Sequence, residues 1–257
     1  MLGLIFFVAT LVLVYMSIWW IIASVRKNNS YADVAWGTIF ILIGAILIAK
    51  STYISLTFLI VYLLISIWGV RLAIHIGKRN LLKPEDRRYA DWRTKGGNNY
   101  QLLSLLKIFW FQGLIAVVVS APLFISERYG NDDITFTTLV GVLIWVFGFV
   151  YESKADKQLK EFLKSKKTGE VMNKGLWEFS RHPNYFGEIL QWLGLFVAVS
   201  TLSYGWTAII SPLLVGYLLA YVSGVPLAEK GFKGNKAFEE YARKTSPIIP
   251  RFFTKIV

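Results

Sequence analysis

Seven long apolar runs alternate with polar segments along the 257-residue chain: about Leu2–Val25, Val34–Ala49, Tyr53–Ile76, Leu105–Ile125, Ile134–Tyr151, Pro183–Leu202 and Trp206–Val225. Each is near the length that carries an α-helix across a hydrocarbon core of roughly 30 Å, the second and fifth being short. In lipid the backbone must satisfy its own hydrogen bonds, which a helix does within a single segment. The pattern therefore predicts an all-α integral membrane protein, a seven-transmembrane-helix bundle forming one domain over residues 1–257. Leu2–Val25 carries no charge and follows no basic residue, so it reads as a first span rather than a cleavable leader. The short hinge Ser203–Gly205 makes the last two runs an antiparallel pair.

Charge adds an orientation. Of the 28 Lys and Arg, all but Lys50, Arg71 and Arg128 fall after runs one, three, five and seven or, as Lys107, at the head of run four. Basic loops stay in the cytoplasm, so the N-terminus is expected outside and the C-terminus inside. The same distribution decides what the net charge of +12 means. Cations confined to loops between apolar runs imply a lipid bilayer as partner and no nucleic acid. A 55% hydrophobic, 17% charged composition with mean hydropathy of +0.49 agrees. The lack of cysteine and the presence of only two histidines exclude disulfides, thiol nucleophiles and thiolate or His-rich metal centres. No G-x-G-x-x-G, P-loop, G-x-S-x-G or H-E-x-x-H occurs, so any nucleotide must be held by side chains of helices and loops.

The polar residues that interrupt the apolar runs carry the candidate chemistry. The stretch Lys174–Gln191, KGLWEFSRHPNYFGEILQ, sets Arg181, His182, Asn184, Tyr185 and Glu188 against the start of run six. Pro183 suits the first helical position, and free N–H groups there would face Ser180–His182, a setting that favours an anion such as phosphate. Asn184, Glu188 and Gln191 are spaced to share one helix face. An ionisable residue inside an apolar helix points to function. Run five continues into a helical segment where Glu152 and Asp156 share a side, Glu152 facing either water at the membrane edge or the interior. Run three holds Arg71 and His75 one turn apart, Arg71 reaching either the interface or a pocket. Asp33, at the border of run two, reads as a helix cap or first-turn acid. The loop Lys78–Ser104 either anchors the membrane surface or grips a phosphate. Phe238–Lys244 is expected to be helical and stopped by Pro247 and Pro250. Together these residues suggest one cytoplasm-facing pocket for a charged cosubstrate and a greasy substrate.

GLWEFSRHPNYFGEI at Gly175–Ile189 and EYARKTSPIIP at Glu240–Pro250 resemble the C-terminal domain of the steroid 5α-reductase superfamily. SYADVAWG, EDRRYADWR and the Glu152–Leu159 pattern E-x-x-x-D-x-Q-L are similar to its bacterial and plant branch of membrane proteins, with residues 134–257 the most family-like. The resemblance implies NADPH as cofactor and reduction of a C=C bond conjugated to a ketone in a hydrophobic small molecule. The expected place is the bacterial inner membrane or the endoplasmic reticulum. It implies cofactor contacts from Asn184, Gly187 and Glu188, which match N-x-x-G-E, and from Tyr241 and Arg243 in the tail. Glu152, Asp156, Arg181, His182 and Tyr185 join them as expected cofactor-binding residues. Where steroid-reducing members use a Glu near span two and a Tyr in span three, this chain offers Asp33 and His75 at loosely matching places, as expected catalytic groups. Arg181-His182-Pro183 also resembles the R-H-P of isoprenylcysteine carboxyl methyltransferases, which implies S-adenosylmethionine as the alternative cofactor. A non-catalytic scaffold or transporter is the third reading.

Overall fold

The computed structural model describes residues 2–80, 84–167 and 169–251, and all regular structure among them is helical. Residues 81–83 of the expected loop lie outside the described residues. In order come α1 (Leu2–Val25), α2 (Tyr31–Lys50), α3 (Leu56–Asn80), α4 (Arg87–Gly96), α5 (Tyr100–Ser104), a π-helical stretch Leu105–Trp110, α6 (Phe111–Val119) and α7 (Ala121–Tyr129). Then follow α8 (Phe136–Ser165), α9 (Leu176–Phe179), α10 (Pro183–Val199), α11 (Ile210–Tyr217), α12 (Val225–Glu229) and α13 (Lys236–Lys244).

Among the described residues six helical runs are long and apolar enough to cross a membrane: Leu2–Val25, Tyr31–Lys50, Leu56–Lys78, Tyr100–Val119, Phe136–Ser165 and Gly205–Phe232. These make the chain an integral membrane protein. The remaining expected run, run six, forms α10, whose 17 residues would reach only about 25 Å at 1.5 Å per residue. The end of run four differs from the sequence pattern. Run four, expected to reach Ile125, stops at Val119, because Pro122 lacks the N–H that would continue the ladder and instead sits in the first turn of α7. Run five continues without a break to Ser165, as the Glu152–Asp156 spacing implied.

The chain divides into two compact units, Met1–Ile134 with Leu202–Ala208, and Thr135–Thr201 with Ile209–Val257. In the first, α2 and α3 run antiparallel and touch through glycine. A Cβ on Gly37 would lie 2.7 Å from the carbonyl oxygen of Gly69, and one on Gly69 would lie 2.4 Å from that of Gly37. The two loops at one end of this pair interlock. Tyr89 donates its hydroxyl to Asp33 Oδ1 at 2.6 Å, and Asp86 donates its backbone N–H to Ser30 Oγ at 2.9 Å. Glu85 is gripped by Arg93 through Nε at 2.9 Å and Nη2 at 2.8 Å, and also accepts the Asn29 N–H at 2.7 Å. The stretches SYADVAWG and EDRRYADWR thus belong to one network, and Asp33 is a first-turn acid of α2 rather than its cap.

In the second unit α8 and α10 pack antiparallel along a line of four glycines. Gly141 faces Gly194 and Gly148 faces Gly187, each pair so close that an added Cβ would lie 2.5–2.7 Å from the facing backbone. Lipid offers helices no hydrophobic reason to associate, and close backbone approach through small residues replaces it.

Candidate functional site

The glycine contact brings two polar stripes face to face. Glu152 and Asp156 lie one turn apart on α8, and Asn184, Glu188 and Gln191 lie on α10. Gln191 Nε2 donates to Glu152 Oε2 at 2.7 Å and to the carbonyl of Gly187 at 3.3 Å. Asn184 Nδ2 donates to Asp156 Oδ1 at 3.2 Å. Glu152 is 3% exposed and Gln191 1%, which answers the question of Glu152: it faces the interior. A carboxylate buried this deeply needs donors, and Gln191 supplies one.

The ladder is not saturated. Asn184 Oδ1, Gln191 Oε1 and the hydroxyl of Tyr151 are buried and have no hydrogen-bond partner among the described residues. Tyr151 packs edge-on against Phe186, with ring centroids 5.5 Å apart. Trp145 Nε1, two turns away on α8, is a fourth such atom, and a donor. Buried polar groups are nearly always paired, so the two amide oxygens and the Tyr151 hydroxyl beside the acids are a place where a ligand with donors fits. Gly187 belongs to this site for a packing reason, since a Cβ there would lie 2.7 Å from the Glu152 N. Glu188 sits half-buried on the same α10 stripe.

Below the ladder the RHP motif is clamped from two sides. On one side Gln158 of α8 accepts the Leu176 N–H at 3.1 Å, and Trp177 Nε1 donates to the Ala155 carbonyl at 3.1 Å. Gly175 turns at φ +66, where a Cβ would also strike the Gln158 amide 2.6 Å away. On the other side the tail returns. Asn235 caps α13 by accepting the Phe238 N–H at 3.2 Å. The Arg181 N–H then donates to the Ser246 carbonyl at 2.9 Å, and Ser180 Oγ donates to the Ile248 carbonyl at 2.7 Å. Tyr241 donates its hydroxyl to the Trp177 carbonyl. Burial pushes this phenol far above its ordinary pKa, so it stays protonated and remains a donor.

The anion at Arg181 and His182 comes from within the chain. Arg181 Nε donates to Glu229 Oε1 at 2.8 Å and Nη2 to Oε2 at 3.3 Å, while Nη1 donates to the carbonyls of Ala242 at 3.1 Å and Thr245 at 2.7 Å. One guanidinium N–H is left over among the described residues. His182 Nε2 donates to Glu229 Oε1 at 2.9 Å, and its ring stacks on Tyr185 at 4.9 Å between centroids. Arg243 is exposed on α13.

The structure therefore joins Glu152, Asp156, Asn184 and Gln191, with Gly187 and Glu188 on the same contact, and joins Arg181, His182, Tyr185 and Tyr241 around Glu229. Asp33 and His75 belong to the first unit, at the same end of the antiparallel α2–α3 pair. Sequence reasoning passed over Glu229, whose signal was an isolated acid at the start of a basic tail. It named Gly187 only as part of N-x-x-G-E and passed over Gly141, Gly148 and Gly194, although Gly141/Gly148 and Gly187/Gly194 each repeat at seven residues.

These features define an integral membrane protein with a polar, incompletely satisfied site inside an antiparallel helix pair. The chain belongs to the family described as "Protein of unknown function (DUF1295)", whose model matches residues 19–245, and with it to the steroid 5α-reductase superfamily. Among its relatives, 3-oxo-5-alpha-steroid 4-dehydrogenase 1 of Homo sapiens is 26% identical over 182 residues, 70% of this chain and 64% of the human protein. The Mus musculus protein of that name is 30% identical over 127 residues, 49% of this chain and 47% of the mouse protein. Steroid 5-alpha-reductase DET2 of Arabidopsis thaliana is 29% identical over 116 residues, 44% of this chain and 40% of the plant protein. The chain spans less than two thirds of the length of these relatives. No solved structure gives a significant match.

Proposed function

We propose that this protein is a membrane-embedded NADPH-dependent reductase of a C=C bond conjugated to a ketone, acting on a lipid-like or steroid-like substrate. The observation that carries the proposal is the unsaturated ladder between α8 and α10. Asn184 Oδ1 and Gln191 Oε1 are acceptors awaiting donors, and Glu152, Asp156 and Glu188 add carboxylates. The carboxamide N–H and ribose hydroxyls of a nicotinamide nucleotide are donors of that kind, whereas its phosphates would be repelled by three acids. In this reading Asn184, Glu188 and the Glu152–Asp156 side hold the nicotinamide half. Arg243 and the spare N–H of Arg181 meet phosphate oxygens. His182, Tyr185 and Tyr241 act mainly by holding the motif and the tail together. The bound cofactor supplies the hydride; from the chain, His75, oriented by Asp33, would hold a proton at the substrate carbonyl oxygen. Family membership and the named reductases among its relatives support the same chemistry.

The membrane arrangement is part of the proposal. α10, held along its length against α8, is the sixth of seven spans in chain order, with the basic loops and the C-terminus in the cytoplasm. Tags at the C-terminus and in the Lys78–Ser104 loop are then protected in sealed right-side-out vesicles, while an N-terminal tag is cleaved. A protected N-terminus with an accessible loop contradicts this topology.

One observation favours a second reading. Three acids on one helix pair, Glu152 and Asp156 on α8 and Glu188 on α10, also suit a cationic sulfonium, which is the demand of an S-adenosylmethionine-dependent methyltransferase. Thermal melting with NADPH, NADH and S-adenosylmethionine separates the two. The reductase is expected to be stabilised most by NADPH, and a shift with S-adenosylmethionine alone reverses the assignment. Glu188→Gln sharpens the test. Loss of a charge-assisted hydrogen bond, roughly 1.5–3 kcal/mol, should weaken NADPH about ten- to a hundredfold with the ligand-free melting temperature nearly unchanged. A variant that melts early yet binds NADPH normally removes Glu188 from the cofactor site.

A further inference from the structure

An open groove of about 300 Å³ lies within the first unit, lined by Trp92, Lys95, Gly96, Tyr100, Leu103, Ser104, Lys107 and Ile108. It is far along the chain from the acid–amide ladder and shares no residue with it. Its floor is the first two turns of the span Tyr100–Val119, and its wall is the end of α4. The last turns of α1 fix this helix start, since Trp20 Nε1 donates to Ser104 Oγ at 3.1 Å and Ser24 Oγ donates to Gln101 Oε1 at 2.9 Å. The groove thus sits where two apolar spans end together, at the depth of a membrane–water boundary.

Four observations say what such a groove takes. Lys95 and Lys107 both reach it and both are exposed, and neither has an acid or other hydrogen-bond partner among the described residues. The other described cation of α4, Arg93, is taken up by Glu85 at 2.8 Å. Lys107 stands inside the π-helical stretch Leu105–Trp110, a wider turn that recurs at functional sites. Leu102 and Leu106, on the same two turns, are 60% and 42% exposed, a surface suited to acyl chains rather than to water. Trp92, half exposed at the rim, has the amphipathic shape that settles at headgroup level.

We propose that this groove binds an anionic phospholipid of the leaflet on the basic side of the membrane. Lys95 and Lys107 grip the headgroup phosphate as point charges, Trp92 and Tyr100 pack against the glycerol region, and the acyl chains run down past Leu102 and Leu106. Arg93 lies over the Tyr100 ring at 4.7 Å and keeps that wall in place.

The test is thermal melting of the detergent-purified full chain with phosphatidylglycerol or phosphatidylcholine of the same acyl composition, and with glycerol 3-phosphate. Phosphatidylglycerol is expected to stabilise beyond phosphatidylcholine, and K95Q/K107Q to weaken that lipid at least tenfold. The pair K160Q/K164Q, which removes two lysines of α8 outside the groove, should keep the preference. In wild type the preference should fade at high salt, a readout that needs no variant. Equal shifts for the two lipids, a preference that survives in K95Q/K107Q or at high salt, or one lost equally in K160Q/K164Q overturns the proposal. A matching shift with glycerol 3-phosphate assigns the groove to a free phosphate ligand and overturns the lipid. Weakened NADPH in K95Q/K107Q makes it part of the nucleotide site and does the same.

Discussion

Arg181→Ala is expected to loosen the C-terminal tail and cost about 2–4 kcal/mol of stability. Removing one partner of a buried ion pair leaves the other charge stranded, worth about 3–5 kcal/mol when burial is complete. The Glu229 side chain is 20% exposed and keeps its His182 partner, so water and the imidazole offset part of the loss and the lower figure follows. The substitution also deprives the carbonyls of Ala242 and Thr245 of their donor, at the point where α13 ends. Two readouts follow: a lower melting temperature without ligand, and faster proteolysis within Lys236–Arg251. Arg181→Lys should recover little, because an ammonium cannot serve a carboxylate and two diverging carbonyls as a planar fork does. Arg181→Ala combined with Glu229→Gln should recover part, since no stranded charge remains. Wild-type melting and a protected tail in Arg181→Ala would show that the clamp is unimportant.

Gly187→Leu should be at least as damaging, about 3 kcal/mol or more, and through a different cause. Its Cβ alone would lie 2.7 Å from both the Glu152 N and the Gly148 carbonyl oxygen, both backbone atoms that cannot swing aside. The helices must separate, and overpacking of this kind costs typically about 1–3 kcal/mol before the rest of the side chain is placed. Gly187→Ala should show the smaller effect. Gly216→Ala is the control, since its nearest neighbour would be a flexible Ile189 methyl at 3.8 Å, and it should be neutral or slightly stabilising. Separation of α8 from α10 also breaks the Gln191–Glu152 and Asn184–Asp156 bonds, so stability and NADPH affinity fall together. That pattern differs from Glu188→Gln, where affinity falls alone. Equal melting temperatures for Gly187→Leu and wild type would mean that the glycine contact does not hold the pair.

Much of the membrane character was legible because it depends on composition and period alone. A run of about twenty apolar residues must be helical in lipid whatever surrounds it, and six of the seven expected runs have that form. The shared faces of Glu152 with Asp156 and of Asn184 with Gln191 were legible for the same reason, since 3.6 residues per turn is a local property. Run four was extended through Pro122 because apolar character continues past it, whereas the local backbone chemistry of proline ends the helix. The two readings of Glu152, wet or inward, could not be decided from its position at the end of a run.

What the chain by itself determined is therefore the all-helical membrane class, the polar stripes, the tail helix and the residues that mark the family. What only the tertiary structure decided is which stripe meets which: Gln191 on Glu152, Asn184 on Asp156, Tyr89 on Asp33, and Glu229 on both Arg181 and His182. Arg181 and Glu229 are 48 residues apart, and nothing in local periodicity links them. Their meeting follows from how closely the backbones approach and where the tail returns. Those depend on the absence of side chains at a few glycines as much as on the side chains present.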